Sequence, residues 1–179
     1  DWSSDVCSSD LANLSSADLT GADFSRCSLI EANLIGSNLT EANLGSAKLT
    51  GRFTREGSFS RGANLTRCIL KGADLSQADC HGADIADSDL REANLSNSNL
   101  IETDLRRADL RGAIFVGSKL RDVNLRECNF RGADLQQTHF VLAYPLIHYQ
   151  KTILIHFSNI FYGYPFLNNT CLIMTLTTF

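Results

Sequence analysis

Ala73-Asp74-Leu75-Ser76-Gln77-Ala78-Asp79-Cys80-His81-Gly82-Ala83-Asp84-Ile85-Ala86-Asp87-Ser88-Asp89-Leu90 beats in fives. The same beat runs outward from Leu65 to Phe140 without a slip. A large apolar residue, usually Leu, falls on every fifth position, with Cys80, Ile85, Phe115, Phe130 and Phe140 as variants. Two places before each stands a small residue, as at Ala73, Ala83, Ala93 and Ala133, with Cys68, Ser88 and Thr138 as substitutes. The residue between them is mostly Asp or Asn, as at Asp74, Asp84, Asn94, Asp104 and Asp134.

A period of five fits neither regular element. On an α-helix, five residues advance about 500°, so successive leucines would drift about 140° round the axis and form no stripe. On an unbroken strand five is odd, and successive leucines would fall on opposite faces. The chain must therefore turn once per repeat. Small residue, Asp/Asn and Leu read as a three-residue extended piece with its first and third side chains inward and its second outward. The next two positions, rich in Gly, Ser, Thr and Arg, read as the corner. Repeated corners of one hand build a solenoid whose coils hydrogen-bond to their neighbours about 4.8 Å apart.

Toward the N-terminus the beat returns in Leu14, Leu19, Phe24, Leu29, Leu34, Leu39, Leu44 and Leu49, eight units. Between the two blocks the register breaks over residues 50–64. Leu49 and Leu65 are 16 residues apart, one more than three units, and Gly and Arg replace Ala and Asp. The remainder of one reads as a single inserted residue, a bulge or small loop. Arg52, Arg55 and Arg61 make this the most basic short stretch of the first half.

Units such as Ala73-Asp74-Leu75-Ser76-Gln77 and Ala93-Asn94-Leu95-Ser96-Asn97 resemble the A(D/N)LXX unit of pentapeptide-repeat proteins. The resemblance covers residues 12–140. It implies an all-β fold, a right-handed quadrilateral β-helix with four units per turn, here about six coils and about 30 Å long at the usual strand spacing. It also implies that loops protruding from the coil sometimes carry partner contacts.

Residues 1–11 lie outside the beat and resemble translated sequencing-adapter sequence, so they read as a non-repeat leader foreign to the fold, the alternative being a frayed native end. Residues 141–179 also leave the pattern, hold both prolines and carry no formal charge after Lys151. Two readings stand for this tail, a cap on the last coil or a shifted reading frame. Its apolar run is too interrupted for a spanning helix, which needs about 20 apolar residues. Membrane association is the weakest of the functional readings.

A net charge of −4 announces neither a nucleic-acid binder nor an acidic tail. Cys27, Cys68 and Cys128 fill small inward slots and Cys80 a large one, so the cysteines act as small hydrophobes. Cys68 and Cys128 would lie three coils apart, about 14 Å and beyond disulfide reach. A reducing, cytoplasmic setting follows. The four histidines share no metal-ligand spacing with the cysteines, and no phosphate loop or nucleophile elbow is present. No catalytic, cofactor or metal site is expected, and the protein reads as no enzyme.

The outward residues are what remains. With four units per coil, Lys71, Arg91, Arg111 and Arg131 form one vertical column, which Asp89, Glu92 and Asp109 would neutralise. Residues 73–105 carry eight acids, among them Asp84, Asp87 and Asp104, against Arg91 alone, a net of −7. Residues 106–131 carry seven bases, led by Arg106 and Arg107, against three acids, a net of +4. These columns are the candidate interaction surface. The first expectation for function is a protein-interaction scaffold with an unidentified protein partner. The second comes from the resemblance: some members resemble B-DNA in shape and charge and bind DNA gyrase in quinolone resistance, a role that wants a strongly negative rod and a C-terminal homodimer contact. Direct nucleic-acid binding is not expected.

Overall fold

A computed structural model describes residues 10–53, 55, 57 and 60–141. The chain winds as a four-sided β-helix in which each unit contributes one rung of parallel pairing to one side, and each coil of four units one rung to every side. The rungs fall on the predicted Asp/Asn positions. One column is Asn13, Asn33, Asn64, Asp84, Asp104 and Asn124, so six coils are stacked. We call this face A. Face B holds Asp18, Asn38, Ile69, Asp89, Asp109 and Asn129; face C runs from Asp23 to Asp134; face D runs from Ser28 to Lys119. On face D the pairing widens into two short parallel strands, β1 (Lys119–Arg121) and β2 (His139–Val141).

Each unit folds for a local reason. Leu14 N–H donates to Asn33 O at 2.7 Å and Asn33 N–H to Ala12 O at 2.8 Å, the alternation of a parallel ladder. The corner closes as Ala17 N–H donates to Leu14 O at 3.2 Å. Its second residue takes positive φ, 58° at Ser16 and 61° at Asp87, as a type II turn requires. Its first residue's N–H would be orphaned, and the outward Asp or Asn accepts it: Ser15 N–H donates to Asn13 Oδ1 at 3.2 Å and Ser76 N–H to Asp74 Oδ1 at 2.9 Å. That bond is the physical reason for Asp/Asn at this place.

The interior is as narrow as the pattern requires. Leu29, Leu34, Leu75, Leu90 and Leu95 are wholly buried, beside Ala32, Ala73 and Ala93. Phe115 and Phe130 fill the wide slot with ring centroids 5.8 Å apart. Hydroxyls in the small slot are satisfied by backbone: Ser88 Oγ donates to Leu65 O at 2.7 Å and Thr103 Oγ1 to Cys80 O at 2.8 Å. Leu14 and Leu19 in the first coil and Leu135 in the last are only partly buried.

The register break is larger than the sequence count implies. An ordinary coil brings Asn33 against Asn13, 20 positions apart. Across the break Asn33 pairs with Asn64 and Lys48 with Asp79, and the stacked small-slot residues Ser37 and Cys68 stand 31 positions apart. The insertion is therefore two whole units and one residue, not one residue alone. Ala63 N–H donates to Leu49 O at 2.7 Å, the closure found at every ordinary corner. The coil thus passes from Leu49 to Ala63 as if the segment 50–62 were a two-residue corner. Counting in fives returns only the remainder, and whole inserted units leave no trace in it.

Asp10 and Leu11, read as the end of the leader, already form the corner before the first unit: Leu11 has φ 60° and donates its N–H to Ile30 O at 3.0 Å. The leader upstream of Asp10 and the tail beyond Val141, with the cap, frame-shift and membrane readings placed on it, lie outside the described residues. Among the described residues no helix is long and apolar enough to cross a membrane.

Candidate interaction surface

The structure brings the predicted cation column together and shows what occupies it. Lys71, Arg91, Arg111 and Arg131 stack at the corner after face B, as the pairing of Ile69, Asp89, Asp109 and Asn129 requires. Arg91 Nη2 lies 2.5 Å from Asp89 Oδ2, and Arg111 Nη2 lies 2.6 Å from Asp109 Oδ2. Arg91 also reaches 3.9 Å from Asp109 in the next coil. Each Arg folds back onto the carboxylate two residues earlier in its own unit. Lys71 and Arg131 follow Ile69 and Asn129 instead, and among the described residues neither makes an ion pair.

Face A shows the same logic. Asp84 stacks beneath Asp104, and Arg106 Nη2 sits 2.7 Å from Asp104 Oδ2. At the adjoining corner Arg107 grips Asp87 of the coil below with two bonds, Nε to Oδ1 at 2.6 Å and Nη2 to Oδ2 at 2.7 Å. The acidic and basic blocks of the sequence are therefore not separate patches. A coil brings residue 107 against residue 87, so the two blocks meet and serve as mutual counter-ions.

A stacking rule follows. Where Asn lies above Asp no arginine is needed, because the amide donates downward: Asn94 Nδ2 to Asp74 Oδ1 at 3.1 Å, Asn99 Nδ2 to Asp79 Oδ1 at 2.9 Å. Where Asp lies above Asp, as in 84/104 and 89/109, an arginine two residues on supplies the charge. Two carboxylates about 5 Å apart repel by about 0.8 kcal/mol at the dielectric of water, an amount one exposed ion pair can offset.

The hydrogen bond from Arg91 holds the Asp89 carboxyl below its ordinary 3.8, burial acting in the opposite sense. Arg111 lowers Asp109 and Arg107 lowers Asp87 in the same way. A carboxyl depressed in the fold adds stability above its unfolded pKa and loses it as pH falls through the folded value. The melting temperature should therefore hold down to about pH 5 and drop below about pH 4. Changing Asp87, Asp89 and Asp109 together to Asn should flatten that acid limb, and a limb as steep as wild type would remove these pairs from the account of stability.

Cys27, Cys68, Cys80 and Cys128 are buried cysteines outside any disulfide. Burial pushes Cys80 and Cys128 up to about 12, and Cys128 Sγ donates to Leu105 O at 2.8 Å. Iodoacetamide at pH 8 should leave these four unlabelled in the native protein and label them in denaturant. Fast native labelling of Cys80 would mean the core opens readily.

The excursion, marked in the sequence by Arg52, Arg55 and Arg61, brings in residues that the sequence did not single out, Ser60, Glu31, Asp10 and Phe53. Ser60 N–H donates to Arg52 O at 2.8 Å and Arg52 N–H to Ser60 Oγ at 2.7 Å, closing its neck. Ser60 Oγ in turn donates to Glu31, and the Arg52 guanidinium lies 3.7 Å from Glu31 and 3.5 Å from Asp10. Beyond that clasp Phe53 is 67% exposed, and Arg55 and Arg61 are exposed. The one available signal was Gly51 and Gly62 bracketing a stretch without Ala-Asp-Leu. Among the described residues no group of three or more His, Cys, Asp or Glu side chains could hold a metal ion.

The family comparison agrees with this geometry. The family model described as pentapeptide repeats matches residues 12–51, 61–91, 88–126 and 124–144 in eight copies, and its first gap falls on the excursion. Among solved structures, a pentapeptide repeat protein from Nostoc PCC 7120 is 32% identical over 58% of this chain and 78% of its own, with a TM-score of 0.47. A pentapeptide repeat protein from the Arabidopsis thaliana thylakoid lumen is 30% identical over 79% of this chain and 76% of its own, with a TM-score of 0.27. QnrB1, a plasmid-mediated fluoroquinolone resistance protein, is 19% identical over 83% of this chain and 73% of its own, with a TM-score of 0.26. No curated protein matches. The solenoid is the right-handed quadrilateral β-helix. With repeat copies matched over more than half its length, the chain belongs to the pentapeptide-repeat family.

Proposed function

We propose that this protein is a non-enzymatic scaffold that holds a protein partner against its outward surface. The observation that carries the reading is the excursion between Leu49 and Ala63. The ladder closes across its base without it, yet it is pinned by Ser60 and Arg52 onto Glu31 and Asp10. A segment that the coil does not need, and whose neck at Arg52 and Ser60 is nonetheless held, is suited to presenting side chains to something else. The buried thiols fit a reducing, cytoplasmic setting.

Replacing residues 50–62 by a Thr-Gly corner copied from Thr20-Gly21 should restore an ordinary four-unit coil and preserve the circular-dichroism spectrum. Cross-linked capture from source cells should then lose a partner that the full chain retains. Equal capture by both proteins would end the reading at this loop.

Mimicry of DNA is the second reading, and the ion pairs weigh against it. Asp87, Asp89, Asp104 and Asp109 each face an arginine, so the middle coils do not offer the unbroken negative rod that gyrase would recognise in place of DNA. Micromolar protein should leave gyrase supercoiling unchanged, and inhibition would put mimicry first.

A further inference from the structure

We infer that Phe53, Arg55 and Arg61 form a contact point for a protein segment that carries carboxylates beside an apolar side chain. The inference rests on the scaffold reading and adds the chemistry of the partner.

A single exposed apolar residue is ordinary on a protein surface. Phe53 differs in its setting. Among the described residues it is the most exposed of the large apolar side chains, at 67%, and it follows Arg52, whose backbone and guanidinium are both held. A side chain presented from a pinned neck loses less freedom on binding than one on a loose loop. Aromatic and arginine side chains are also the types that carry most of the energy at protein contacts.

The charge around Phe53 selects the partner. Arg52 is engaged by Glu31 and Asp10. Arg55 and Arg61 are exposed, as is Lys48 on the adjoining face, and among the described residues none of the three makes an ion pair. An acidic segment would meet these cations without displacing an internal counter-ion, whereas the arginines at 91, 106, 107 and 111 would have to leave a carboxylate first. A nucleic acid would gain from a long row of such cations, and in the row after face B the middle two, Arg91 and Arg111, are already paired.

The test is selection of random phage-displayed peptides on the full chain, counter-selected on the Thr-Gly variant described above. Selected peptides should place Asp or Glu beside Leu, Phe or Trp. Their affinity should fall about tenfold with Phe53→Ser and with Arg55→Glu/Arg61→Glu, and should be unchanged by Ile114→Ser on face C. Each variant is first matched to wild type by circular dichroism. Loop-dependent peptides without acidic residues would overturn the partner chemistry and leave the scaffold reading standing. Peptides that bind the Thr-Gly variant equally well would overturn both. A short DNA duplex that displaces the acidic peptides at lower concentration than they displace one another would assign the point to nucleic acid.

Discussion

Leu95→Asp should unfold the protein under conditions where the wild type is folded. Leu95 is wholly buried in a middle coil, with coils stacked on both sides. Removing a buried leucine side chain costs about 2–5 kcal/mol, and an ionised carboxylate put in its place adds a desolvation cost with no cation on the axis to offset it. The total is comparable with the whole stability of a domain, about 5–15 kcal/mol. Each coil of a solenoid leans on its neighbours, so a failed middle coil also leaves the coils on either side with an open end. Leu95→Ala should cost about 3 kcal/mol. Leu11→Asp is the control: Leu11 is 62% exposed at a corner with φ 60°, where Asp is tolerated, and the melting temperature should barely move. A melt of Leu95→Asp that coincides with wild type would mean that Leu95 does not face the axis, and the solenoid would fall with it.

Gly62→Ala should cost about 2–3 kcal/mol, far more than an ordinary corner glycine. A Cβ at Gly62 would lie 2.7 Å from both Ala83 N and Leu49 O, backbone atoms held in corner bonds, Ala83 N–H to Cys80 O and Ala63 N–H to Leu49 O. They cannot step aside as the end of a flexible side chain would. Gly21 supplies the comparison. It has φ +65° with open space around it, and other coils place Ser16, Glu41 or Asp87 at a corner's second position with φ 57–61°. Gly21→Ala should therefore cost only about 1 kcal/mol of backbone strain. Urea denaturation of the two variants measures the difference. Equal costs would mean that the foot of the excursion is not packed against the coil.

Much of the fold was legible because each unit is decided locally. Ala73-Asp74-Leu75 declares which side chains go inward, and Asp74 Oδ1 accepting Ser76 N–H explains the Asp without reference to anything distant. The column Lys71, Arg91, Arg111 and Arg131 was legible once four units per coil were assumed, and so was the pairing of Arg91 and Arg111 with Asp89 and Asp109, whereas Glu92, the third acid expected there, makes no ion pair among the described residues. The candidate site was less legible. The blocks at 73–105 and 106–131 look like opposed patches on paper, yet Arg107 and Asp87, one coil apart in the chain, touch. The excursion was misjudged in length because nothing within the segment 50–62 says where the ladder resumes.

By itself the sequence determined the period, the inward and outward sides and the corners, because short-range hydrogen bonding and burial repeat in every unit, and the resemblance to the family added four units per turn and so about six coils. Only the tertiary structure decided that Arg107 meets Asp87 and Arg52 meets Asp10, and that the break inserts two further units along with the one odd residue. Those facts depend on contacts between positions 20 to 42 apart, such as Arg107 with Asp87 and Arg52 with Asp10, and a five-residue pattern holds no information at that distance.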